Sequence, residues 1–100
     1  MRVKRRYLKF KIESDRRLTR RDIIDAIHSA GTSLFGDYGM SLINLQFIEF
    51  DESTGHGVVR CARERVDDVR AVLATINNIR GAPSATRVVR VSGTLKGVKR

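Results

Sequence analysis

The residues of this sequence that could do chemistry are its lysines and arginines, and that chemistry is the binding of a polyanion. The chain of 100 residues has 20 Lys and Arg against 11 Asp and Glu, a net charge of +9. All carboxylates lie between Glu13 and Asp68, so residues 1–12 and 69–100 hold 13 basic side chains and no acid. Such a surplus in a globular domain is typical of proteins that bind nucleic acid or an anionic membrane surface.

The other reactive side chains form no recognisable catalytic or metal site. Cys61 and His56 lack the further Cys or His ligands that a zinc site requires. Gly55 and Gly57 flank a turn residue and do not open a helix, as a phosphate-binding loop does. The sequence therefore predicts no catalytic residue, and no metal or cofactor bound by this chain.

Two further features concern location. The single cysteine fits a reducing compartment, and no apolar stretch approaches the roughly 18 residues of a membrane span. The basic opening run is interrupted by Lys9 and Lys11 and fails as a secretory signal. We expect a cytoplasmic protein without a membrane partner.

The elements that must position the basic residues begin with a strand. In "YLKFKIE" the apolar residues Leu8, Phe10 and Ile12 alternate with polar ones that include Lys9 and Lys11, the period of a half-buried strand. The basic opening run therefore leads into the first strand of a domain.

The rest of the chain predicts two helices and three more strands. Thr19 and Asp22 resemble a capping box ahead of a helical apolar pattern, whose end Gly31 and Gly36 leave uncertain. "LINLQFIEF" predicts a second strand with a bulge or with both faces buried. The remaining predictions, in chain order, are a turn at "DESTGHG", a strand at "VVRCA", a helix at 66–76, a strand at "TRVVRVS" and a short helix or tail at "GTLKGVKR".

This order of elements, β-α-β-β-α-β, predicts the ferredoxin-like class of α+β fold, as one domain over residues 1–100. We expect a four-stranded antiparallel sheet in the order 4-1-3-2 with both helices on one face. The start of strand one then lies beside the end of strand four and near the loop after strand three, so both acid-free segments converge at one end of the sheet.

That convergence predicts an RNA-binding surface held by charge and shape, because the exposed face of strands one and three offers no aromatic platform for stacking bases. The predicted RNA-binding residues are Arg2, Lys4, Arg5, Arg6, Lys9, Lys11, Arg63, Arg65, Lys96, Lys99 and Arg100. A smaller second basic patch is predicted at Arg16, Arg17, Arg20 and Arg21.

A second surface is predicted to bind a protein. Its candidates are the helix-free face of the sheet and the "LFGDYG" loop with Leu34, Phe35 and Tyr38, since an exposed apolar patch on a small domain often marks an interface. The alternative is that these three side chains fill the core.

Several segments together resemble archaeal ribonuclease P protein component 2, whose eukaryotic relatives are the Pop-five and Rpp-fourteen subunits. They are "RRYLKFKI", "LFGDYG", "GHGVVRCARERVDDVRAVLATI" and "VVRVSGTLK", and the resemblance covers about residues 6 to 96. The chain is shorter at its C-terminus than some relatives, so contacts made by such an extension would be absent or weaker here.

The resemblance implies a noncatalytic subunit of the endoribonuclease that removes the 5′ leader from precursor tRNA. Chemistry is then expected from the RNA subunit and its magnesium. The implied partners are the catalytic RNA, protein component 3 in a dimer of heterodimers, the other protein subunits, and precursor tRNA in the holoenzyme. The alternatives are a generic RNA-binding or ribosomal protein and a ferredoxin-like module that binds a small regulatory ligand.

Overall fold

The alternating apolar and basic residues at the start of the chain form the first strand, β1 (Arg5–Ser14). In the computed structural model, which describes residues 4–100, Leu8, Phe10 and Ile12 are buried. Lys9 and Lys11 project from the opposite face, because successive side chains of a strand point to opposite sides.

Helix α1 (Arg20–Ile43) begins at the predicted capping box. The Thr19 hydroxyl accepts a hydrogen bond from the Asp22 amide at 3.2 Å, and the Asp22 carboxylate accepts one from the Thr19 amide at 3.0 Å. Asp22 is buried and also pairs with Arg80 at 3.0 Å. The amide of Thr19, followed by the Arg80 guanidinium, lowers the pKa of the Asp22 carboxyl.

We expect Asp22→Asn to lower the urea midpoint of unfolding at pH 7, since the pKa of Asp22 is lower in the folded chain than its usual value of about 3.9. The stabilisation from this carboxylate is therefore complete above the usual pKa and is lost as the pH falls through the folded-state pKa. The difference between wild type and variant should accordingly shrink below about pH 4. Asp25→Asn, on the exposed side of the same helix, is the control and should change the unfolding free energy by less than about 0.5 kcal/mol. An equal effect of both variants would contradict the assignment.

Helix α1 is bent at Gly36, whose φ of 72° and ψ of 176° are not helical. The chain is helical on both sides of Gly36 and continues as helix to Ile43, so the "LFGDYG" segment lies within a kinked helix and the prediction of a loop there was wrong. The second part of the helix folds back on the first, and the Met40 side chain lies against the buried Gly31, in the space that a Cβ would occupy. Asn44 ends the helix in the left-handed conformation.

Strands β2 (Gln46–Asp51) and β3 (His56–Ala62) form an antiparallel hairpin. The pairing shifts by one residue between Phe47 and Glu49, which confirms the predicted bulge and leaves Ile48 as the extra residue. After β3, a short 3₁₀ turn (Arg63–Arg65) leads into helix α2 (Val66–Ala74).

The chain then forms β4 (Asn78–Ile79), β5 (Ala82–Ser92) and helix α3 (Leu95–Val98). The sheet order is β2-β3-β1-β5-β4, so the predicted order of the four long strands is confirmed. The prediction of four strands was wrong, because β4 adds a fifth by pairing with β5 across a tight turn at Arg80 and Gly81. A two-residue strand has no periodicity to detect, and its turn carries Arg80 at a φ of 54°.

The core lies between one face of the sheet and helices α1 and α2. Its members are buried residues of β1, α1, β3 and α2, such as Phe10, Ile27, Val59 and Leu73. Val58, Ala62 and Val98 are also buried but do not belong to this cluster.

Candidate nucleic-acid interface

The sheet face opposite helices α1 and α2, called the open face below, carries Lys9 and Lys11 of β1. On β3, Val58 pairs with Lys9 and His56 pairs with Lys11. Directly opposed residues share a face, so the alternation of β3 places Val58, Arg60 and Ala62 on the open face and Val59 and Cys61 in the core.

The first residues of β1 lie beside the end of β3, as the topology predicted. The Arg63 amide donates a hydrogen bond to the Lys4 carbonyl at 3.0 Å, and Arg5 pairs with Ala62. Arg6 reaches the start of the C-terminal segment, since a Cβ on Gly93 would lie 3.6 Å from its Nη1. Lys4, Arg5, Arg6 and Arg63 therefore gather at one end of the sheet. Arg2 lies outside the described residues.

The remaining predicted cations divide into paired and exposed groups. Arg63 and Arg65 have carboxylate partners, Glu64 at 3.5 Å and Asp68 at 3.4 Å. Lys96 and Arg100 are exposed. The predicted second patch is partly neutralised by acids, since Arg17 lies 3.9 Å from Glu52 and Arg21 lies 3.5 Å from Asp25.

Lys99 does not join the cluster at the end of the sheet. Its Nζ lies 3.1 Å from the Glu49 carboxylate, and Glu49 lies on the edge strand β2, opposite Val58 of β3. Helix α3 thus turns back over the open face, so the prediction of a helix-free face was wrong. The cause is an apolar contact of Val98, which is fully buried. Sequence periodicity did not reveal this contact, because the helix that carries Val98 has only four residues.

Two cations that the sequence analysis missed complete the open face. Arg90 pairs with Lys9 and Arg87 pairs with Lys11, with a one-residue shift between them that leaves Val89 unpaired. In a regular strand, residues three apart point to opposite faces, but this bulge turns both arginines to the same face. The signal in the sequence was the doubled valine of "RVVR", which places two apolar residues where alternation allows one.

Three members of the four-cation cluster of Lys9, Lys11, Arg87 and Arg90 act electrostatically on His56. Burial lowers the pKa of His56, and the positive charges of Lys9, Lys11 and Arg87 lower it further. His56 is therefore neutral at physiological pH and adds no charge to the face. The nearest carboxylate to the cluster is Glu13, 3.9 Å from Arg87.

The open face contains little to stack a base. Of the six aromatic side chains, all within residues 4–100, only Tyr7 lies there. The Arg60 guanidinium sits over the Tyr7 ring at 6.0 Å from its centroid and also donates to the side chain of Gln46. The surface can thus bind phosphates through charge, but it has no free aromatic platform in the part of the chain that the structure describes.

No group of three or more His, Cys, Asp or Glu side chains within residues 4–100 is arranged to hold a metal ion. Cys61 is buried in the core, where burial and the nearby Asp68 raise the pKa of its thiol to about 11. Such a thiol is protonated near neutral pH and is a poor nucleophile.

We expect Cys61 to resist alkylation in the folded protein. At pH 8 its reaction with a maleimide should be at least about 100-fold slower in buffer than in denaturing urea, because both access and thiolate are lost on folding. Mass spectrometry over a time course measures both rates. Comparable rates would show that this part of β3 opens readily.

The predicted protein-binding residues lie on helix α1 and not on a loop. Leu34 and Tyr38 are exposed, at 46% and 78% of their surface, while Phe35 packs against the core. Leu42 adds a third exposed apolar side chain at 43%. The alternative that the three predicted residues fill the core therefore holds for Phe35 alone.

Comparison with known proteins identifies the family to which this chain belongs. A family model described as the Rpp14/Pop5 family matches residues 6–100. This chain belongs to the Rpp14/Pop5 family. The Pyrococcus furiosus protein named ribonuclease P protein component 2 is 36% identical over 100 residues, which is 100% of this chain and 83% of that protein. The protein of the same name from Methanosarcina acetivorans is 34% identical over 96 residues, covering 96% and 71% of the two chains.

The fold agrees with this membership of the Rpp14/Pop5 family. A chain in a cryo-EM structure of yeast ribonuclease MRP superposes with a TM-score of 0.75, covering 95% of this chain and 78% of that one at 15% identity. At that identity the likeness concerns the fold. Within residues 4–100, every helix is too short or too polar to span a lipid bilayer.

Proposed function

We propose that this chain is a noncatalytic protein subunit of ribonuclease P, the ribonucleoprotein that removes the 5′ leader from precursor tRNA. The observation that carries the proposal is the similarity, over essentially the whole chain, to archaeal proteins named ribonuclease P protein component 2. The cationic open face and the cluster at the start of β1 provide the basic side chains for RNA binding, since lysine and arginine bind RNA through its phosphates.

The chemistry would come from the RNA subunit and the magnesium ions it holds. Cys61 is buried and its thiol has a raised pKa, and burial and the neighbouring cations lower the pKa of His56. The role of this chain would be to neutralise phosphates and so stabilise the folded catalytic RNA. A cytoplasmic site of action fits a protein whose one cysteine is a buried free thiol.

The protein partners would be ribonuclease P protein component 3 and the other subunits, with component 3 joined in a dimer of heterodimers. We propose the exposed side of α1 as the contact. There, Leu34 lines a groove of about 370 Å³ between α1 and the segment after α2, and Tyr38 is exposed further along the helix. Apolar side chains at the edge of a groove are typical anchors of a protein interface.

Reconstitution tests the proposal. Archaeal ribonuclease P RNA, component 3 and the remaining protein subunits are assembled with and without this chain, and cleavage of precursor tRNA is measured. We expect the chain to increase the cleavage rate and to enter the particle. A particle that assembles and cleaves equally well without it would reject this function in favour of a generic RNA-binding role.

The interface has its own test in the same system. Leu34→Ser with Tyr38→Ser should weaken association with component 3 while leaving RNA binding unchanged, because both side chains lie on the helical side of the sheet. Val89→Ser, which alters an exposed apolar residue of β5, is the matched control. Association that resists the first pair of substitutions would place the interface elsewhere.

A further inference from the structure

The bulge in β5 gathers cations on one half of the open face. Lys9 and Arg90 face each other across β1 and β5, and so do Lys11 and Arg87. Residues two apart along a strand are separated by about 7 Å, so the four side chains form a compact quadrilateral and not a scattered charge. Like charges directly opposed across strands are destabilising, which indicates a use other than stability.

The other half of the open face is unsuited to RNA. Strand β2 presents Glu49 and Asp51 there, and Lys99 of α3 forms its ion pair with Glu49. The carboxylates would repel phosphates, and the cation that lies beside them, Lys99, is already paired with Glu49. A polyanion that contacts the sheet is therefore directed along β1 and β5.

We propose that RNA crosses this face as a double helix, with backbone phosphates bound by Lys9, Lys11, Arg87 and Arg90. The proposal rests on the function proposed above and adds to it the path, the two β5 arginines and the form of the RNA. Proteins that bind single strands usually combine a basic groove with aromatic side chains on which bases stack. Here Tyr7 is the aromatic residue of the open face, and it is covered by Arg60.

Charge density favours the same conclusion. A double helix carries about one charge per 1.7 Å of its axis, roughly twice the density along one strand, with B-DNA as the guide. A site that binds through charge alone is expected to have a higher affinity for the polyanion with the higher charge density. It would read the shape of the RNA backbone and carry no sequence preference of its own.

The first experiment measures binding of the purified full chain to an RNA hairpin with a long perfect stem, in a salt series. Arg87→Ala with Arg90→Ala should weaken binding at least about tenfold at 0.1 M salt, and the log-log salt slope should fall by about 0.7 to 0.9 per arginine. Arg21→Ala with Arg70→Ala removes the same charge from exposed helical positions and should change affinity by less than about twofold. Equal losses in both double variants would overturn the proposed path.

A variant that is expected to bind RNA more tightly gives a second test, because misfolding would weaken binding and cannot produce that result. Glu13 lies 3.9 Å from Arg87 and competes with phosphate for it. Glu13→Gln should therefore tighten hairpin binding by about two- to threefold, whereas Asp37→Asn, at an exposed carboxylate of helix α1, should have a smaller effect on binding. Unchanged or weaker binding by Glu13→Gln would count against Arg87 as a phosphate ligand.

The form of the RNA is tested with a single strand of the same length and composition. We expect the hairpin to bind more tightly and to show the larger effect of the two arginines. Tighter binding of the single strand would contradict the proposal that the RNA binds as a double helix. These experiments need no other subunit, so they can fail while reconstitution of ribonuclease P succeeds, and they can succeed while reconstitution fails.

Discussion

Phe10→Ala should reduce the free energy of unfolding by about 3 to 5 kcal/mol, the range for removing a buried aromatic ring. Phe10 is fully buried in the middle of β1, between its partners Gly57 of β3 and Val88 of β5. Its ring occupies the space above Gly57, where a Cβ would overlap it. Removing the ring would leave a cavity in the central strand, which the neighbouring strands can close only by shifting the register that orients the open face.

Urea unfolding followed by circular dichroism measures this effect, with Tyr38→Ala as the control. Tyr38 is an aromatic residue with 78% of its surface exposed, so its truncation should change stability by less than about 0.5 kcal/mol. Since domains of this size are stable by about 5 to 15 kcal/mol, Phe10→Ala would remove a large part of the total. A loss below about 1 kcal/mol would mean that Phe10 does not lie in a close-packed core.

Lys9→Glu with Lys11→Glu should weaken binding to hairpin RNA on the order of 100-fold at 0.1 M salt. The change removes two phosphate contacts and adds two repulsive charges at the centre of the proposed path. The same substitutions should leave the fold intact, because the new carboxylates would lie opposite Arg90 and Arg87, and opposite charges across strands are favourable. RNA binding and stability should thus change independently.

The matched control reverses two exposed charges on the helices, Arg21→Glu with Arg70→Glu. It has the same effect on net charge, so it measures the contribution of long-range attraction alone. We expect a loss of less than about tenfold in the control. Comparable losses in both variants would show that net charge, and not the open face, determines affinity, whereas a large fall in melting temperature for the first pair would show that the lysines serve the fold.

Much of the fold followed from local patterns. The alternation around Phe10 predicted β1, the pair Thr19 and Asp22 predicted the start of α1, and the broken alternation before Phe50 predicted the bulge in β2. These patterns can be recognised in the sequence because buried side chains recur with the period of the helix or strand that contains them. The order of the four long strands followed from the β-α-β-β-α-β sequence of elements, since that arrangement restricts the topology.

The elements that were missed depend on contacts between distant residues. The "LFGDYG" segment remains helical because Met40 packs back on Gly31, and β4 forms because Asn78 and Ile79 meet the start of β5. Helix α3 is held over the sheet by Val98 and by the ion pair of Lys99 with Glu49. In each case the local pattern is short or contains glycine, so tertiary packing selects among conformations of similar intrinsic energy.

The amino-acid sequence by itself determined that this protein is a basic domain, since net charge does not depend on folding, and it predicted RNA binding from that charge. It also placed Lys9 and Lys11 on one face of β1. Only the tertiary structure decided that Arg87 and Arg90 join them and that Lys99 is drawn away to Glu49. The reason is that the face to which a side chain points depends on strand register, and one extra residue in the bulge of β5 reverses it.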